Sequence, residues 1–523
     1  MTIAFIVALG GFLMGFDASV ISGVVKFIEP EFDLDKIQLG WSVASLAFAA
    51  TFAMLVAGPV SDRFGRKTVL SYAAILFFIS AICSAVAPTF LTLVIARMVG
   101  GLGVGAALII APMYIAEISP AKMRGRMVSI NQLNIVIGIS VAFFTNYLVL
   151  KLGQSNLSWA TTLQLGDWNW RWMLGLEALP AILYFIGLFI VPESPRWLIM
   201  HGRDTEALDI MTRISGADEA RAEIAEIQSS IAHSKKQQSS RLAELFQKPM
   251  RLVLIIGLSV AVLQQITGIN SVFFYAPMIF EQSGIGTNAS YLQAILVGLT
   301  NLVFTLAAIA LIDKIGRKKL LVNGVAGIAV CMFLLSYGFS SATYSLSPES
   351  IGALPQTIDL EQLRGIEGTI YDDDLGFKRA IAATLGEQAL KDSESELVAA
   401  AIHMNPTLIL VGILGFVASF AISLGPVMWV LFSELFPNRI RGLAISFVGF
   451  VNSGVSFFVQ LVFPWELANI GTTGTFLLYG LFALAGLAVI VRLLPETKDK
   501  SLEELEELLV PRAPPAENPG IVK

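Results

Sequence analysis

The chain has 523 residues, of which 55% are hydrophobic and 14% charged, against about 25% charged in an ordinary soluble domain. Its mean hydropathy of +0.72 leaves too little polar surface for a water-soluble molecule of this length. The net charge of −5 argues against nucleic acid as a partner. The composition therefore predicts an integral membrane protein.

Twelve apolar runs have lengths near 20 residues, enough for a helix to cross about 30 Å of hydrocarbon. Because backbone in lipid must satisfy its own hydrogen bonds, we interpret them as helices. The first six cover 3–25, 39–60, 68–87, 89–115, 127–150 and 169–191, and the second six cover 251–281, 288–312, 319–342, 405–433, 441–464 and 472–494. The predicted fold class is an all-α integral membrane protein with twelve transmembrane helices in two six-helix bundles. The first run contains Asp17 and is predicted to be a retained helix and not a cleaved signal.

Polar segments divide this plan into four parts. Segment 194–250 carries Ile224, Ile227 and Ile231 at helical spacing, which predicts a linker of amphipathic helices. Segment 343–404, with eleven acidic and four basic residues, is predicted to be an external insertion, and the sequence gives no role for it. The predicted parts are an N-terminal bundle (1–193), the linker (194–250), a C-terminal bundle including the insertion (251–495) and a tail (496–523).

Basic residues collect on one side of the predicted bundle. Clusters follow the second, fourth, eighth and tenth runs, at 63–67, 122–126, 314–319 and 439–441. Since basic loops stay in the cytoplasm, this side is predicted to be cytoplasmic, together with the linker and both termini. The expected location is the plasma (inner) membrane.

Short motifs of the first half return in the second half in the same order. DRFGRK at 62–67 returns as DKIGRK at 313–318, Glu117 returns as Glu434, and PES at 192–194 returns as PET at 495–497. Parallel repeats of six helices are typical of transporters that bind their solute between the halves, near the middle of the membrane.

The same motifs resemble a known family. GPVSDRFGRK (58–67), PESPRWL (192–198), QQITGIN (264–270), GPVMWVLFSELFPNRIRG (425–442) and PETK (495–498) together resemble the sugar porter family of the major facilitator superfamily. The likeness covers nearly the whole chain except 343–404 and the tail, and bacterial and plant proton-coupled monosaccharide symporters look most similar. The resemblance implies symport of a neutral hexose or pentose with a proton into the cytoplasm, by alternating access.

Three ionisable residues lie inside the predicted helices: Asp17, Arg97 and Glu177. Charges at this depth are costly, so these side chains are expected to face the protein interior and pair. One base between two acids leaves one carboxylate undercompensated, and we expect that acid to take up and release a proton. The resemblance agrees, since symporters of the family carry Asp at the position of Asp17 and passive facilitators carry Asn. The alternative is a static ion pair near the external interface.

A sugar presents hydroxyls and weakly polar C–H faces, which amides and an aromatic wall can bind. Seven uncharged candidates from both halves match sugar-binding positions of the family: Gln132, Gln264, Gln265, Asn270, Asn301, Trp429 and Asn452. Gly268 is expected to interrupt its helix near the middle of the membrane. The alternative is that these amides only hold helices together.

Three positions depart from the family pattern. Phe274 stands where several relatives have Tyr, Ser453 where many have Trp, and Ser456 where some have Asn. The identity of the sugar therefore cannot be carried over from one relative. Phe273, Phe274 and Tyr275 are predicted to form an aromatic gate on the external side.

Acids and bases alternate on adjacent helix ends at the predicted cytoplasmic side. Salt bridges between them are expected when that side closes, and the family uses these positions to gate alternating access. We call the set the latch; it comprises Asp62, Arg66, Glu117, Arg124, Glu193 and Arg196 in the first half and Asp313, Arg317, Glu434, Arg441 and Glu496 in the second. The alternative is that the basic residues only set topology, although topology requires no acids.

These features favour a transporter over an enzyme, because no nucleophile–base pair or metal-ligand spacing occurs in the sequence. Cys83 and Cys331 are predicted to be buried free thiols, and neither a metal nor a cofactor is expected. The expected partners are a monosaccharide, a proton and the lipid bilayer, with the chain acting as a monomer. An uncoupled facilitator and a sodium-coupled carrier of sugar or inositol stay open. A non-transporting sugar sensor is disfavoured by the short tail.

Overall fold

The computed structural model describes residues 2–119, 123–236, 242–355, 358–437, 440–498, 500 and 504–505. Across these residues, 12 helices are long and apolar enough to cross a membrane. Most other elements of the described chain are also helices, beside one two-stranded sheet. The predicted all-α membrane fold is confirmed.

We number the twelve spans in chain order, and each predicted run overlaps one of them. Spans 1 to 6 cover Ile3–Gly23, Lys36–Phe64, Arg66–Ala85, Phe90–Ile118, Ser129–Gly153 and Asn169–Ile190. Spans 7 to 12 cover Lys248–Phe274, Thr287–Ile315, Arg317–Ser340, Pro406–Leu435, Arg441–Asn469 and Gly471–Leu493. Spans 1 to 6 are called the first half, and spans 7 to 12, with the segment between spans 9 and 10, the second half.

Local sequence sets where several spans begin and end. Asp35 caps span 2 by accepting a hydrogen bond from the Gln38 N–H, and the Gln38 side chain accepts one from the Asp35 N–H in return. Gly65, with a φ of 97°, turns the chain from span 2 into span 3, and Gly316, with a φ of 100°, does the same between spans 8 and 9. Span 2 therefore extends beyond the predicted run at both ends.

Three spans are interrupted. The helices on the two sides are Asn169–Gly175 and Ala178–Ile190 in span 6, Arg251–Ile266 and Ile269–Phe274 in span 7, and Pro406–Ala421 and Leu424–Leu435 in span 10. Glu177 lies at the first interruption, and Gly268, with a φ of 85°, at the second. A further helix, Ala276–Glu281, follows Tyr275, so the predicted run 251–281 is three helices and not one.

The remaining helices of the first half are short or continue a span. Span 1 is the α-helix Thr2–Val20 followed by the 3-10 helix Ile21–Gly23. Helix Val25–Glu31 leads towards span 2, span 5 is part of helix Arg124–Gly153, and Ser158–Thr162 precedes span 6.

Spans pack closely within each half, and two pairs of spans make the most extensive contacts between the halves. Span 2 contacts span 4, span 1 contacts span 5, and span 9 contacts span 12. Across the boundary, span 2 contacts span 11 and span 5 contacts span 8. Gly101 and Gly105 permit the approach of span 4 to span 2, because a Cβ at either would collide with the carbonyl of Leu46 or Ala50.

The linker forms the predicted amphipathic helices. They are Pro195–Met200, Asp204–Ser215 and Ala217–Lys236, followed by the 3-10 helices Leu242–Phe246 and Lys248–Met250. Leu198, Met211 and Ile224 share a buried cluster, so these helices cover one another's apolar faces. Ile227 is half-buried, and the side chain of Ile231 lies outside the described residues.

Residues 343–404 form a folded unit, which we call the insertion domain. Its helices are Pro348–Gly352, Leu360–Leu363, Arg364–Ile366 (3-10), Asp374–Leu385 and Glu387–Ala401, and its antiparallel strands are Thr343–Tyr344 and Ile402–His403. Phe377, Ile381 and Leu397 are fully buried in a core of its own.

Both cysteines are free, as predicted, but Cys83 is exposed on span 3 and Cys331 is half-buried, so the prediction of buried thiols is wrong for Cys83. The apolar run around Cys83 indicated a membrane helix, but it did not indicate which face of that helix looks outwards.

Candidate transport sites

Four of the seven predicted sugar-binding residues form one hydrogen-bonded set, which we call the amide cluster. Asn452 Nδ2 donates to Gln264 Oε1 at 2.8 Å, and Gln265 Nε2 donates to Asn452 Oδ1 at 3.2 Å. Asn270 Nδ2 donates to Gln265 Oε1 at 2.8 Å. The interruption at Gly268 brings amides from both sides of it together, facing span 11.

Ser456 and Gln460 extend the amide cluster along span 11. Asn270 Nδ2 donates to Ser456 Oγ at 2.7 Å, and Gln460 Nε2 donates to the same oxygen at 2.7 Å. Ser456 was interpreted only as the loss of the amide that some relatives carry at this position, and Gln460 was not among the predicted residues. Asn452, Ser456 and Gln460 are four residues apart, so they share one helix face, and that spacing was the available signal.

The other three predicted binding residues have no hydrogen bond to the amide cluster among the described residues. Asn301 of span 8 is buried and accepts from the Thr305 hydroxyl at 3.5 Å. Trp429 of span 10 is 38% exposed, and its ring lies 6.0 Å from that of Phe432. Gln132 of span 5 is half-buried. Their contact with a solute stays a prediction.

The predicted aromatic gate follows the interruption of span 7. Phe273, Phe274 and Tyr275 are buried. The Tyr275 hydroxyl donates to the Gln460 carbonyl at 3.2 Å, and its ring lies 5.1 Å from that of Phe463. Tyr275 thus packs against span 11 of its own half, and gating by these three rings stays a prediction.

Asp17 and Arg97 form an ion pair inside the first half. Both side chains are 1% exposed, and Arg97 Nη1 lies 2.6 Å from Asp17 Oδ1 and 3.0 Å from the Asp17 carbonyl. The pair is buried within the bundle, and whether it is static or couples a proton stays a prediction. Removing two charges from water costs several kcal/mol per ion, which makes such a pair unusual unless it has a function.

Glu177 is equally buried, but it has no ion-pair partner among the described residues. In this conformation the guanidinium of Arg97 on span 4 pairs with Asp17 of span 1, and Glu177 is the acid without an ion pair; the role of the three residues in proton coupling stays a prediction. Asp17 Oδ2, Glu177 Oε1 and Arg97 Nε and Nη2 are buried without hydrogen-bond partners in the described structure.

Gly100 provides the space for the Asp17 carboxylate. A Cβ at this position would lie 2.7 Å from Asp17 Oδ2 and 2.5 Å from the hydroxyl oxygen of Ser80. Because Gly100 follows Arg97 by three residues on span 4, one helix supplies both the base and the space for the acid.

The first copy of the latch surrounds Arg66. Arg66 Nη1 lies 2.8 Å from Asp62 Oδ1, and Nε lies 3.0 Å from Glu117 Oε2. Glu193 Oε1 accepts hydrogen bonds from the backbone N–H groups of Arg66 and Lys67, at 2.9 and 3.1 Å. The contacts join spans 2, 3 and 4 to the start of the linker.

The second copy repeats these contacts around Arg317. Arg317 Nη2 lies 3.0 Å from Asp313 Oδ1 and 2.9 Å from Glu434 Oε1, and its backbone N–H donates to Glu496 Oε1 at 2.9 Å. Burial alone would raise the pKa of Glu496, but backbone N–H donors, led by that of Lys498, hold the pKa below its ordinary value.

The latch contacts among the described residues lie within one half or the other. Each central arginine starts a helix directly after a glycine turn and pairs with acids of its own bundle. Salt bridges that form on cytoplasmic closure stay a prediction. Arg441 Nε donates to the Phe436 carbonyl at 3.1 Å, and Arg196 is half-buried without an ion-pair partner among the described residues. The side chain of Arg124 lies outside the described residues.

Ion pairs between the halves lie at the opposite end, predicted to be external. The pairs are Lys26–Glu281, Lys26–Glu396, Lys36–Glu394 and Asp33–Lys391, with N···O distances of 3.1, 3.6, 3.1 and 2.7 Å. The Tyr291 hydroxyl also crosses the boundary to donate to the Gly23 carbonyl at 2.6 Å. The halves are therefore closed together at this end. These contacts could not be predicted from the sequence because their partners lie far apart in the chain.

The sequence profile of the family described as Sugar (and other) transporter matches residues 3–354 and 388–509. The part outside the match is therefore narrower than the segment 343–404 expected from motifs alone, and the match also extends into the tail.

Known proteins match over almost the whole chain. The arabinose-proton symporter of Bacillus subtilis is 34% identical over 502 residues, which cover 96% of this chain and 93% of that protein. The D-xylose transporter of Levilactobacillus brevis is 35% identical over 506 residues, covering 96% of this chain and 94% of that protein. A solved structure of the xylose transporter from E. coli, in an inward open conformation, has a TM-score of 0.73 and 31% identity, covering 97% of this chain and 99% of that chain. With its twelve spans, this chain is a multi-pass membrane protein that belongs to the sugar transporter family of the major facilitator superfamily.

Proposed function

We propose that this protein is a secondary active transporter that carries a neutral monosaccharide, a hexose or pentose, into the cytoplasm together with a proton. The names of its relatives, an arabinose-proton symporter and a D-xylose transporter, support this solute class and coupling ion. The observation that carries the proposal is the buried Asp17–Arg97 pair in one half, with an uncharged amide cluster in the other. A titratable site and a neutral polar site thus lie in two bundles that can move against each other.

Transport proceeds in this proposal by alternating access. The first bundle (1–193) and the second (251–495) rock about the solute, the linker (194–250) connects them, and the tail (496–523) lies with it in the cytoplasm. Closure at the end predicted to be external makes the present conformation inward-facing, and the likeness to an inward open structure supports that assignment. We place the protein in the plasma (inner) membrane, as a monomer with both termini cytoplasmic.

Glu177 is the acid without an ion pair here, but only protonation of Asp17 would release Arg97, so the proposed proton acceptor is Asp17. Arg97 neutralises it here, and protonation of Asp17 would remove the charge that holds the guanidinium. An unpaired buried arginine is costly, so Arg97 then requires another acid, and Glu177 has a carboxylate oxygen without a partner. Proton binding would in this way be linked to a movement of Arg97 between spans 1 and 6.

The amide cluster is the proposed sugar site. Its members hydrogen-bond to one another, and sugar hydroxyls, which both donate and accept, can replace these bonds without leaving a buried amide unsatisfied. Gln132, Asn301 and Trp429 would complete the site from spans 5, 8 and 10. Phe273, Phe274 and Tyr275 would close it externally, and the latch would hold the cytoplasmic ends of each bundle.

Purified protein in proteoliposomes tests the coupling. Uptake of labelled L-arabinose, D-xylose, D-glucose and myo-inositol is measured with an imposed proton gradient, with a sodium gradient and with neither. Accumulation of a monosaccharide under the proton gradient alone, abolished by a protonophore, is the expected result. Accumulation under sodium alone, or equilibration without accumulation under every gradient, would contradict proton symport.

Asp17→Asn identifies the coupling residue in the same vesicles. The variant is expected to lose accumulation and to keep sugar counterflow, because the solute site is intact while the titratable group is gone. Glu466→Gln is the matched control: it removes another carboxyl within a span, one that accepts a hydrogen bond from Tyr479 outside the proposed coupling site, and it should keep accumulation. Equal accumulation by the Asp17→Asn variant and the parent would refute the assignment.

A further inference from the structure

The insertion domain is an addition to the repeated plan of the two halves. Spans 3 and 4, the equivalent pair in the first half, are joined by residues 86–89 alone, whereas spans 9 and 10 are separated by the whole domain. Its buried core shows that it is a folded body and not a slack connection. A folded body at the closed end of a transporter can act on the movement of the halves.

The domain is attached to the second half beyond its two chain connections. Asp374 Oδ2 accepts a hydrogen bond from the backbone N–H of Thr472, at the start of span 12, at 3.4 Å. The Ser395 hydroxyl donates to Glu281 Oε2, after span 7, at 2.9 Å. These contacts at two separate places indicate that the domain moves with the second half.

One helix of the domain, Glu387–Ala401, contacts the first half through charged side chains. Three of its residues pair with residues of the first half that lie between spans 1 and 2 or at the start of span 2. The pairs are Lys391–Asp33 at 2.7 Å, Glu394–Lys36 at 3.1 Å and Glu396–Lys26 at 3.6 Å. The helix contributes one base and two acids, and each of them faces a side chain of opposite charge on the first half.

Glu394 lies at the centre of this contact. It bridges Lys36 of the first half and Lys378 of its own domain, at 3.1 and 2.8 Å, with its side chain 17% exposed. Burial alone would raise the pKa of Glu394, but the two ammonium groups, that of Lys378 first, outweigh burial and hold its pKa below the ordinary range. Lys36 is the first residue of span 2, so this pair acts directly on a membrane-crossing helix.

All described ion pairs between the halves lie at this end, and three of the four involve the insertion domain. We propose that the insertion domain is an external clasp, which stabilises the conformation closed on the external side through Lys391, Glu394 and Glu396 and must release them before that side opens. The proposal rests on the alternating access of the proposed function. It assigns the domain to the balance between inward- and outward-facing states, and not to sugar recognition.

Distances between spin labels test the clasp on the full-length protein in lipid nanodiscs without sugar. Labels at Gln154→Cys and Ser341→Cys, exposed near the external ends of spans 5 and 9, are read by double electron–electron resonance after replacement of Cys83 and Cys331. When the external side opens, a peak at a longer distance appears in the distance distribution. The area of that peak relative to the shorter one gives the ratio of open to closed molecules.

Two variants should raise that ratio, by roughly three-fold or more. Lys391→Glu places a carboxylate opposite Asp33, and Glu394→Gln leaves Lys36 and Lys378 without their shared partner. The effect of Lys391→Glu should be smaller in an Asp33→Asn background, in which the repulsion is absent; asparagine suits the positive φ of 48° at this position. Asp392→Asn is the matched control, since Asp392 lies on the same helix and is bonded only to Gln388 of that helix among the described residues.

A parental distance distribution in both Lys391→Glu and Glu394→Gln would overturn the clasp, and so would an effect of Lys391→Glu that persists unchanged with Asp33→Asn. Glu394→Gln keeps the proposal testable if charge reversal at Lys391 prevents folding. The measurement uses neither sugar nor a gradient. A protein that accumulates no monosaccharide but shows these shifts would refute the proposed function and retain the clasp. A protein that accumulates a monosaccharide but shows no shift would retain the proposed function and refute the clasp.

Discussion

Replacement of Asn452 by leucine separates the two interpretations of the amide cluster. Asn452 Nδ2 donates to the Ala261 carbonyl and to Gln264 Oε1, both at 2.8 Å, and its Oδ1 accepts from Gln265. Leucine has the same number of side-chain heavy atoms in the same branched arrangement, with bulkier methyl groups, so the change removes hydrogen bonds without opening a cavity. If the cluster only holds helices together, the loss falls on stability alone; if it binds sugar, affinity falls as well.

The expected size follows from the number of bonds. Each buried hydrogen bond contributes about 1 kcal/mol net, with more lost when a partner is left unsatisfied, so the free energy of unfolding should fall by about 1–3 kcal/mol. One amide can exchange a donor and an acceptor bond with sugar hydroxyls, so loss of these should weaken sugar binding by a similar amount. That corresponds to a rise of roughly 5- to 150-fold in the half-saturating sugar concentration.

Asn146→Leu is the matched control for this experiment. Asn146 is a buried amide of span 5 whose Nδ2 donates to the Val20 carbonyl at 3.0 Å, so it joins helices outside the proposed sugar site. Thermal stability and the half-saturating concentration of the best-transported sugar are measured for both variants in the same vesicles. Both should lose stability, and only Asn452→Leu should lose affinity. Equal half-saturation in the two variants would refute the assignment of the cluster as the sugar site.

Three further results are expected. Gly100→Ala should reduce sugar-coupled proton uptake at least ten-fold while sugar counterflow persists, since the added Cβ displaces the Asp17 carboxylate; unchanged uptake in a pH-dye assay would contradict this. Gly268→Ala should destabilise the protein by about 1–2 kcal/mol or more, because an L-residue must adopt φ near 85° beside the ring of Tyr479; an unaltered melting temperature would count against the interruption of span 7. Acidification from about pH 7 to about pH 5 should leave the ion pairs of Glu394 with Lys36 and Lys378 intact. A carboxylate with a depressed pKa contributes its full stabilisation above its ordinary pKa. It loses that stabilisation only as the pH falls through the depressed pKa. Neighbouring Glu29, whose pKa burial raises against the opposing effect of Lys36, should protonate before Glu394, so the change of the label distances on acidification should be smaller in Glu29→Gln than in the parent.

The spans were predictable because the bilayer imposes length and hydropathy on each of them separately. Twelve runs found in the sequence overlap the twelve spans, although Asp35 starts span 2 earlier than hydropathy alone indicated. The interruption at Gly268 was predictable because glycine lacks a Cβ and breaks helices. The interruption beside Glu177 was not predictable, since Leu176 and Ala178 both suit a helix.

The residues of the candidate sites were easier to predict than their partners. Burial of Asp17, Arg97 and Glu177 followed from the cost of a charge in lipid, but which acid Arg97 contacts depends on the conformation of the bundle. Ser456 was missed because a departure from the family pattern was interpreted as a loss and not as a possible donor or acceptor. Gln460 was missed because its four-residue spacing from Ser456 was not used.

The insertion domain shows where sequence reasoning ended. Its acidic composition predicted an external insertion and indicated no core, yet Phe377 and Leu397 form part of a separate core. The clasp residues could not be paired in advance because Lys36 and Glu394 lie on opposite sides of eight spans in the chain, and no periodicity relates them. Such contacts are defined only once the two halves are placed together.

Proton movement on addition of sugar is the most direct test of the central claim that Asp17 couples the two fluxes. Vesicles containing the purified protein and an internal pH dye, without any imposed gradient, receive each monosaccharide in turn. The account predicts internal acidification with at least one sugar for the parent and none for Asp17→Asn. A sugar that enters the vesicles at the same rate in both, with no change of pH in either, would contradict it.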